Sequence, residues 1–473
     1  MKKILLVSIL WLFSLVAGPL QGASEPEKLN VVLFVTDDQS PDTGCYGNDA
    51  ISTPHLDQLA REGTRFDRAF CTTASCSASR SVILTGLFNH ANGQYGHAHS
   101  YHHFKTKSKV RSLPIHLRKA GYRTARVGKF HVEPEELYHF DVALPGNSRH
   151  PLQMANNCEE FVSKMDEQPF FLYFCTSDPH RGGGTYPGDP NLPNAFGNQV
   201  QPRKGLKKIS YDPKQVNVPS FLPDTPVCRS EIAQYYESCS RIDQGLGRLV
   251  EILKKANVYD KTVIIFTSDH GMAFPGGKTT VYEGGMRVPY VIRHPRMRNR
   301  EGVSRAMISH VDITPTVLDI AGYPTDSKSF HGRSILPAIQ PDKKEDWNLV
   351  YASHTFHEIT MYYPMRVVRT DRYKLIWNIA HGLPYPFASD LWAAPTWQDV
   401  YRKGPDALYG ERSVRDYIHR PRFELFDLSN DPHESRNLAE DPGHREILEK
   451  LKKEMQKFQA QTGDPWKLKW KYE

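Results

Sequence analysis

The sequence predicts an α/β protein in which helices flank a large parallel sheet, and a smaller α+β subdomain follows at the C-terminus. Two observations predict this fold. Four apolar runs of strand length each end in charged or imidazole side chains, with helical patterns between several of them. After about residue 349 this pattern gives way to short strand-like runs and then a polar helix. In a parallel sheet the site lies beyond the carboxyl ends of the strands, so these polar side chains are expected to gather there.

The predicted elements follow in chain order. Each apolar run is short and nearly continuous, which is typical of a strand buried on both faces. The stretch 181–219 is rich in Gly, Pro and Asn and is expected to be a long functional excursion. The predicted strands of the large sheet are 29–35, 122–127, 170–174 and 262–267, with helices at 55–63 and 229–256, C-terminal strands at 373–377 and 424–428, and a C-terminal helix at 444–461.

The first 23 residues have the order of a secretory signal peptide, with Lys2 and Lys3 before an apolar run and small residues after it. The alternative is a membrane anchor, but this run is too short to span about 30 Å of hydrocarbon. The sequence contains no Asn-x-Ser/Thr sequon, which favours a bacterial envelope. We therefore expect an exported protein, periplasmic or secreted, without stable membrane insertion. The expected domains are a signal peptide at 1–23, a catalytic domain at 24–348 and a subdomain at 349–473.

Composition excludes several classes of protein. With 39% hydrophobic and 24% charged residues, the chain is neither disordered, nor fibrous, nor a disulfide-stapled miniprotein. The net charge of +7 fits an enzyme with an anionic substrate, although many enzymes share it, and no nucleic-acid partner is expected. The seven cysteines leave at least one thiol unpaired or chemically used, and without a CxxC pair a structural zinc site has no support.

One cysteine stands at the predicted start of a helix. Cys76-Ser77-Ala78-Ser79-Arg80 precedes an apolar stretch, so Cys76 would face the positive end of the helix dipole with Arg80 on the same face. An anion bound there would meet backbone N–H groups and a guanidinium together. From the residues alone, Cys76 is either a nucleophile of low pKa or an ordinary thiol beside a helix cap.

The chain resembles the type I sulfatases, which belong to the alkaline phosphatase superfamily and oxidise a cysteine of this signature to formylglycine. The signature is Cys76-x-Ala78-Ser79-Arg80 with Leu84-Thr85-Gly86. Within the family the chain is most similar to the N-sulfoglucosamine sulfohydrolases, the heparan N-sulfatases. Further matching motifs are Asp37-Asp38, Gly128-Lys129-x-His131, Asp178-Pro179-His180, Ser268-Asp269-His270-Gly271, Lys278, Glu424-Leu425-Phe426-Asp427, Asp431-Pro432-x-Glu434 and Asn437-Leu438. Those specific to the N-sulfatases are Asn92-Gly93-x-Tyr95-Gly96 with His102-His103-Phe104, Phe274-Pro275-x-Gly277, and His357-Glu358-x-Thr360-Met361-x-Tyr363-Pro364-Met365-Arg366.

The resemblance implies a large mixed, mainly parallel sheet and a two-step displacement at sulfur. One hydroxyl of hydrated formylglycine at position 76 would attack sulfur, and the second would then expel sulfate. Arg80, Lys129 and Lys278 would neutralise charge on the sulfuryl group. His131 is the candidate base, on the same side as Lys129 if the strand continues, and His180 is the candidate acid for the leaving group. Taken singly, these histidines and Lys278 could be structural or solvated residues.

The resemblance also implies a divalent metal site. Asp37, Asp38 and Asp269 would supply hard oxygen ligands, together with position 76 and His270. Taken alone, a paired Asp at a strand end can be a turn former or helix cap. Relatives usually carry Asn at position 270, and imidazole is a softer ligand. Calcium is nevertheless the expected metal, with manganese as the alternative. Lys278 stands where Arg is expected in the nearest N-sulfatases, and the two cations are not equivalent in bidentate recognition.

For substrate binding we expect His102, His357, Glu358 and Arg366 to contact the glycan, or else 357–366 to be a packing element between subdomains. The predicted function is removal of sulfate from N-sulfated glucosamine at the non-reducing end of heparan sulfate or heparin fragments. The alternatives are an O-sulfatase on a related glycan, a phosphatase or phosphonate hydrolase of the same superfamily, and a catalytically silent glycan-binding protein. Besides the glycan, the expected partners are a formylglycine-generating maturation enzyme and a second copy of the chain in a homodimer.

Overall fold

A computed structural model describes residues 28–164, 168–182, 194–297, 302–324, 326–339 and 346–472. The predicted signal peptide lies outside the described residues. Among the described helices, none combines the length and the apolar character needed to cross a membrane.

The core of the molecule is an eight-stranded mixed sheet in the order β4-β3-β5-β1-β6-β7-β2-β8. All neighbouring strands run parallel except β7, which is antiparallel to both β6 and β2. Strands β1, β5 and β6 are buried along their whole length, as expected for near-continuous apolar runs covered on both faces. The eight strands are β1 Asn30–Thr36, β2 Thr64–Phe70, β3 Arg123–Gly128, β4 Val142–Leu144, β5 Phe170–Cys175, β6 Thr262–Ser268, β7 Tyr290–Arg293 and β8 Val303–Ser309.

Helices pack on both faces of this sheet, and two apolar clusters form on its opposite sides because the side chains of a strand alternate between faces. The longest is α7, which has Pro226 at its first position and a Thr225 side chain that accepts a hydrogen bond from the backbone N–H of Cys228. The helices of this part are α1 Pro54–Glu62, α2 Cys76–Thr85, α3 Asn89–Asn92, α4 Leu113–Lys119, α5 Pro151–Asn157, α6 Glu159–Ser163, α7 Pro226–Lys255, α8 Glu283–Met286 and α9 Ile313–Ile320.

The C-terminal part contains a second sheet of four antiparallel strands in the order β14-β11-β10-β9. Helix α13 covers this sheet with Leu448, Leu451 and Met455, and so closes a separate apolar cluster. The strands of this part are β9 Leu349–His354, β10 Met365–Thr370, β11 Tyr373–Asn378, the short pair β12 Leu408–Tyr409 and β13 Arg412–Ser413, and β14 Phe423–Asp427. The helices are α10 Ser389–Trp392, α11 Pro395–Tyr401, α12 Val414–Ile418, α13 Arg445–Gln461 and α14 Lys469–Tyr472.

The predicted fold class is confirmed. Every strand and helix predicted from apolar runs is present, with ends that differ from the prediction by no more than a few residues. The described residues of the stretch 181–219 contain neither helix nor strand, in keeping with a long excursion. The small sheet begins at Leu349, and the domain boundary drawn there stays a prediction.

The register of the large sheet explains where the polar side chains gather. Val35 of β1 lies opposite both Cys175 of β5 and Thr267 of β6, and Cys175 lies opposite Gly128 of β3. The four predicted strands therefore end at one level. The residues that follow them enter a common space at the carboxyl edge of the sheet.

Candidate active site at the carboxyl edge of the sheet

Two strand ends supply the carboxylates of the site. Asp37 and Asp38 follow β1, and Asp269 follows β6, with all three side chains fully buried. The Asp269 backbone N–H donates to the carbonyl of Thr36 (3.1 Å), and the Asp38 N–H donates to Asp269 Oδ1 (3.0 Å). Asp38 has a φ of 62°, which turns the chain sharply after the strand. This turn directs neighbouring carboxylates into one small volume.

Cys76 is the first residue of α2 and meets these carboxylates from the opposite side. Its Sγ lies 3.4 Å from Nε2 of His270 and 3.8 Å from Oδ1 of Asp38. Burial raises the pKa of the Cys76 thiol well above its usual range, and the nearby Asp37 raises it further. The surroundings of the thiol thus oppose its ionisation, in spite of the position at a helix N-terminus.

The carboxylates differ in protonation because their neighbours differ. Burial raises the pKa of Asp38 to about 7 although Lys278 opposes this shift, and burial together with Asp37 raises the pKa of Asp269. Burial acts the same way on Asp37, but Lys129, His180 and Arg80 hold its pKa well below the usual range. Each of the three carboxylates is thus held beside at least one buried cation.

The donor set fits a hard divalent cation. Three carboxylates converge with Cys76 and His270, whose Nε2 lies 3.1 Å from Asp38 Oδ1, and a cation among them would offset the repulsion between the acids. The Nδ1 of His270 is 3.0 Å from the carbonyl oxygen of Gly271, which leaves Nε2 facing the carboxylates. The structure thus brings all five predicted metal-site residues together.

The three predicted cations occupy different places in the site. Arg80 is fully buried; its Nε donates to Asp269 Oδ2 (3.0 Å) and its Nη2 donates to Asp37 Oδ1 (3.2 Å). Lys129 donates to the other oxygen of Asp37 at 2.5 Å. The guanidinium of Arg80 thus holds two of the carboxylates in place, and the contact predicted between Arg80 and the sulfuryl group stays a prediction.

Lys278 is the centre of a second group of contacts, which includes a residue that the sequence did not indicate. Its Nζ lies 3.2 Å from Asp38 Oδ2, 3.0 Å from His180 Nε2 and 2.8 Å from Oδ2 of Asp390. Asp390 belongs to α10 in the C-terminal part, 112 residues from Lys278. No motif flagged Asp390, because a lone acid in a short helix gives no signal in the sequence.

His131 differs from its expected placement. Strand β3 ends at Gly128, and His131 lies beyond it with a φ of 59°, so its position relative to Lys129 is not set by strand alternation. Its Nε2 is 2.7 Å from Nδ1 of His99, and its ring packs against that of His97. The sequence analysis missed both partners, although the His97-x-His99 spacing beside the Asn92-Gly93 motif was a usable signal.

Of the predicted glycan contacts, His357 and His102 lie against the site region. The Nδ1 of His357 is 3.0 Å from the hydroxyl of Ser75, the residue before Cys76, and its Nε2 is 3.0 Å from Nε2 of His97. His102 Nδ1 accepts the backbone N–H of Ile359 (3.1 Å). Glu358 is partly exposed beside α10, where its Oε1 is 3.3 Å from the hydroxyl of Ser389.

Arg366 is not a glycan contact in this structure. It is fully buried in β10, and its Nε and Nη2 donate to the two carboxylate oxygens of Asp464 at 2.5 and 3.0 Å. A guanidinium whose Nε and Nη2 both donate to a carboxylate inside the protein has no free pair of donors for a substrate anion. Arg366 therefore agrees with the alternative prediction, in which 357–366 is a packing element between subdomains. Its charge is neutralised by Asp464, which lies 98 residues away in the chain.

The seven cysteines, all within the described ranges, are free thiols, and six of them are buried. The sequence predicted at least one unpaired thiol, and in the structure all seven are unpaired.

Comparison with known families agrees with this geometry. A family model described as sulfatase matches residues 29–323, which include every catalytic and metal-site residue predicted above. The chain belongs to the sulfatase family. A second model, described as the C-terminal region of N-sulphoglucosamine sulphohydrolase, matches residues 270–386. The predicted sulfatase resemblance is confirmed, and members of this family generally use formylglycine and a divalent metal.

Individual relatives of this sulfatase span most of the chain. It is 40% identical to human N-sulphoglucosamine sulphohydrolase, over 94% of this chain and 92% of the relative. It is 32% identical to an ulvan-active sulfatase of Formosa agariphila, over 93% of this chain and 81% of the relative. A solved structure, of a protein in complex with its substrate D-glucosamine-2-N,6-O-disulfate, superposes with a TM-score of 0.66 at 22% identity and covers 93% of this chain and 99% of its own. At that identity the likeness shows the fold alone.

Proposed function

We propose that this sulfatase removes sulfate from the nitrogen of N-sulfated glucosamine at the non-reducing end of heparan sulfate or heparin fragments. The observation that carries the proposal is the identity of the residues that border the site. Residues of the region that matches the C-terminal model of N-sulphoglucosamine sulphohydrolase, namely Lys278 and His357, lie at the sulfate site and beside Cys76. The 40% identity to the human N-sulphoglucosamine sulphohydrolase supports the same substrate.

The residues of the site are suited to hold a sulfuryl group and its metal. Asp37, Asp38 and Asp269 would hold the cation, for which we propose calcium, with manganese as the alternative because His270 is a softer ligand. Formylglycine made from Cys76 by a maturation enzyme would supply the hydroxyl nucleophile, and the cation would polarise the sulfate oxygens. Lys129 and Lys278 stand on two sides of the carboxylates as positive charges for the sulfate oxygens.

The leaving nitrogen of a sulfamate needs a proton, and His180 stands where it can give one. Its Nε2 accepts from Lys278 Nζ at 3.0 Å and lies 3.9 Å from Asp38 Oδ2. Proton transfer in the transition state requires a group within hydrogen-bond reach of the leaving atom, and Lys278 keeps the His180 ring turned towards the carboxylates. We propose that His180 and Lys278 act together as the acid: the proton lies on Lys278 Nζ, is shared with His180 Nε2, and passes to the leaving nitrogen, which leaves Lys278 neutral until solvent returns a proton. His131 is kept as the proposed base for the second step.

The sugar ring would lie outside the sulfate pocket, against the segments that Glu358 and Asp390 bring together. Glu358 contacts Ser389, the residue next to Asp390, so that two carboxylates line the same rim. Carboxylates accept hydrogen bonds from sugar hydroxyls, and His102 can donate or accept. Glu358, Asp390 and His102 form the proposed glycan contacts. Arg366 is omitted from them, and His357 would act as a positioning residue, because its two ring nitrogens contact Ser75 and His97 inside the protein. We also propose, from the apolar run at the N-terminus, that the protein is exported to a periplasm or the exterior.

An O-sulfatase on a related glycan is the second candidate function. The ulvan-active sulfatase of Formosa agariphila, at 32% identity, is the observation that favours it. The sulfate pocket described above would serve either reaction, so the distinction lies in the leaving atom and in the sugar contacts.

The experiment that tests the proposal is sulfate release from a matched panel of N-sulfated, 6-O-sulfated and 2-O-sulfated disaccharides. The mature, calcium-loaded enzyme should release sulfate from the N-sulfated member with the highest kcat/KM. A higher kcat/KM on a 6-O-sulfated or 2-O-sulfated member would assign the protein to the O-sulfatases. The Cys76→Ala variant serves as the control for spontaneous hydrolysis, and an intact mass of the peptide containing residue 76 reports whether the thiol was converted to an aldehyde.

A further inference from the structure

Three imidazoles form a compact cluster next to the active site, and the mechanism above uses only one of them. His97 and His99 lie in the loop after α3, and His131 lies in the loop after β3. Their ring centroids form a triangle with sides of 4.6, 4.8 and 5.0 Å. One nitrogen from each ring lies within 4.8 Å of the other two.

The cluster has unused donor capacity. The Nδ1 atoms of His97 and His131 are buried and, within the described part of the chain, have no hydrogen-bond partner. Buried nitrogens without a partner are costly, so a bound ligand that satisfied them would stabilise the cluster. Burial lowers the pKa of both rings, which keeps them neutral and able to offer a lone pair.

The cluster is open to solvent on one side. His99 is exposed, and together with His131 it lines a cavity of about 420 Å³ whose rim also carries Glu133, Glu135 and Glu136. A hydrated cation could therefore approach His99 and His131 from the cavity, and the acidic rim would attract it, whereas His97 is buried and does not line the cavity.

The chemistry of the donors selects the ion. Three imidazole nitrogens without a carboxylate suit zinc, copper or nickel, whereas calcium takes oxygen ligands. A tetrahedral zinc with Zn–N bonds of about 2.0–2.1 Å needs nitrogens about 3.3 Å apart. The 2.7 Å hydrogen bond between His99 Nδ1 and His131 Nε2 is shorter than that, so zinc would replace this hydrogen bond and the two rings would have to move slightly apart. The fourth position would hold water.

We propose that His97, His99 and His131 form a second metal site, for a late divalent transition ion such as Zn²⁺, separate from the carboxylate site at Asp37, Asp38 and Asp269. Binding there would engage His131 and so slow turnover, which makes the site inhibitory. This consequence rests on the role proposed for His131, whereas the metal site itself does not.

The binding test uses the full-length Cys76→Ala protein in excess calcium, so that the carboxylate site is filled and the competing thiol at position 76 is absent. Titration with Zn²⁺ by calorimetry should give one tight site, and X-ray absorption should show three nitrogen ligands. His99→Asn should weaken zinc binding at least tenfold. His103→Asn, at an exposed histidine of the same loop, should leave it unchanged. The proposal is overturned by the lack of a tight site, by oxygen-dominated ligation, or by equal zinc affinity in the two variants.

The inhibition test uses the mature enzyme and an aryl sulfate, which requires only the sulfate pocket. Zn²⁺ should inhibit the parent enzyme and the His103→Asn variant at the same concentration, and His99→Asn should require at least tenfold more. Zinc that binds to the three histidines without slowing turnover would overturn the inhibitory consequence and the role of His131, and would leave the metal site standing. The two failures are thus distinguishable.

Discussion

Replacing Arg366 with methionine tests whether this residue stabilises the fold or binds substrate. Methionine keeps much of the side-chain volume within β10 but removes the guanidinium, and so leaves Asp464 buried without its ion-pair partner. Asp464 also accepts hydrogen bonds from the backbone N–H of Trp466 (3.1 Å) and from Gln459 Nε2 (3.1 Å), and these contacts hold it in place after the substitution.

The loss of unfolding free energy in Arg366→Met can be worked out in two ways. Burial would raise the pKa of Asp464, but Arg366, helped by His90 and Gln459, lowers it from 3.8 to about 2, and at about 1.4 kcal/mol per pKa unit this shift corresponds to about 2 kcal/mol. Because the folded pKa is depressed, this stability is present above about pH 4 and is lost as the pH falls through 2. Removal of one partner from a buried pair costs about 3–5 kcal/mol, since the other charge remains uncompensated. We therefore expect Arg366→Met to lower the free energy of unfolding at pH 7 by about 3–5 kcal/mol.

Urea unfolding at pH 7 and pH 5, followed by circular dichroism, measures this loss. The loss should be smaller at pH 5, because a buried Asp464 without Arg366 can take up a proton there. The matched control is the double variant Arg366→Met/Asp464→Asn, which removes the stranded charge but keeps an amide that can cap the following turn; it should recover about 2 kcal/mol.

Activity measurements distinguish a structural role of Arg366 from a role in substrate binding. The folded fraction of Arg366→Met should have the parent kcat/KM on both an N-sulfated disaccharide and an aryl sulfate. A variant with unchanged urea midpoint and a selective loss on the disaccharide would show that Arg366 contacts the glycan after all.

The remaining predictions concern the active site. Cys76→Ala should abolish turnover with an unchanged circular dichroism spectrum, and a substantial residual rate would contradict the formylglycine mechanism. Asp38→Asn should weaken calcium binding in a calcium titration, since it removes an anionic ligand; unchanged affinity would exclude this residue from the site. Glu358→Gln should lower kcat/KM on the N-sulfated disaccharide about tenfold, or about 1.4 kcal/mol, and on an aryl sulfate much less. Asp390→Asn should lower kcat on both substrates, because Lys278 serves the shared sulfate pocket; a loss on the disaccharide alone would make Asp390 a glycan contact.

The fold class and the gathering of the carboxylates could be predicted from the sequence. Apolar runs such as 29–35 and 262–267 must be buried wherever they lie, and parallel strands that end in polar residues place those residues at one edge. Asp37, Asp38 and Asp269 follow from this pattern, whereas the residues alone left Cys76 open and the resemblance to the sulfatases assigned its role. These are local signals, since each depends on a few consecutive residues.

Contacts between charges that are far apart in the chain could not be predicted from the sequence. Arg366 and Asp464 are 98 residues apart, and Lys278 and Asp390 are 112 residues apart. Arg366 stood inside a motif typical of substrate recognition, yet the fold pairs it with an acid from the C-terminal end of the chain. Asp390 stood in no motif, yet it reaches the sulfate pocket. The role of a charged side chain depends on the residues that surround it after packing. Neither hydrophobic periodicity nor motif spacing shows which segments come into contact.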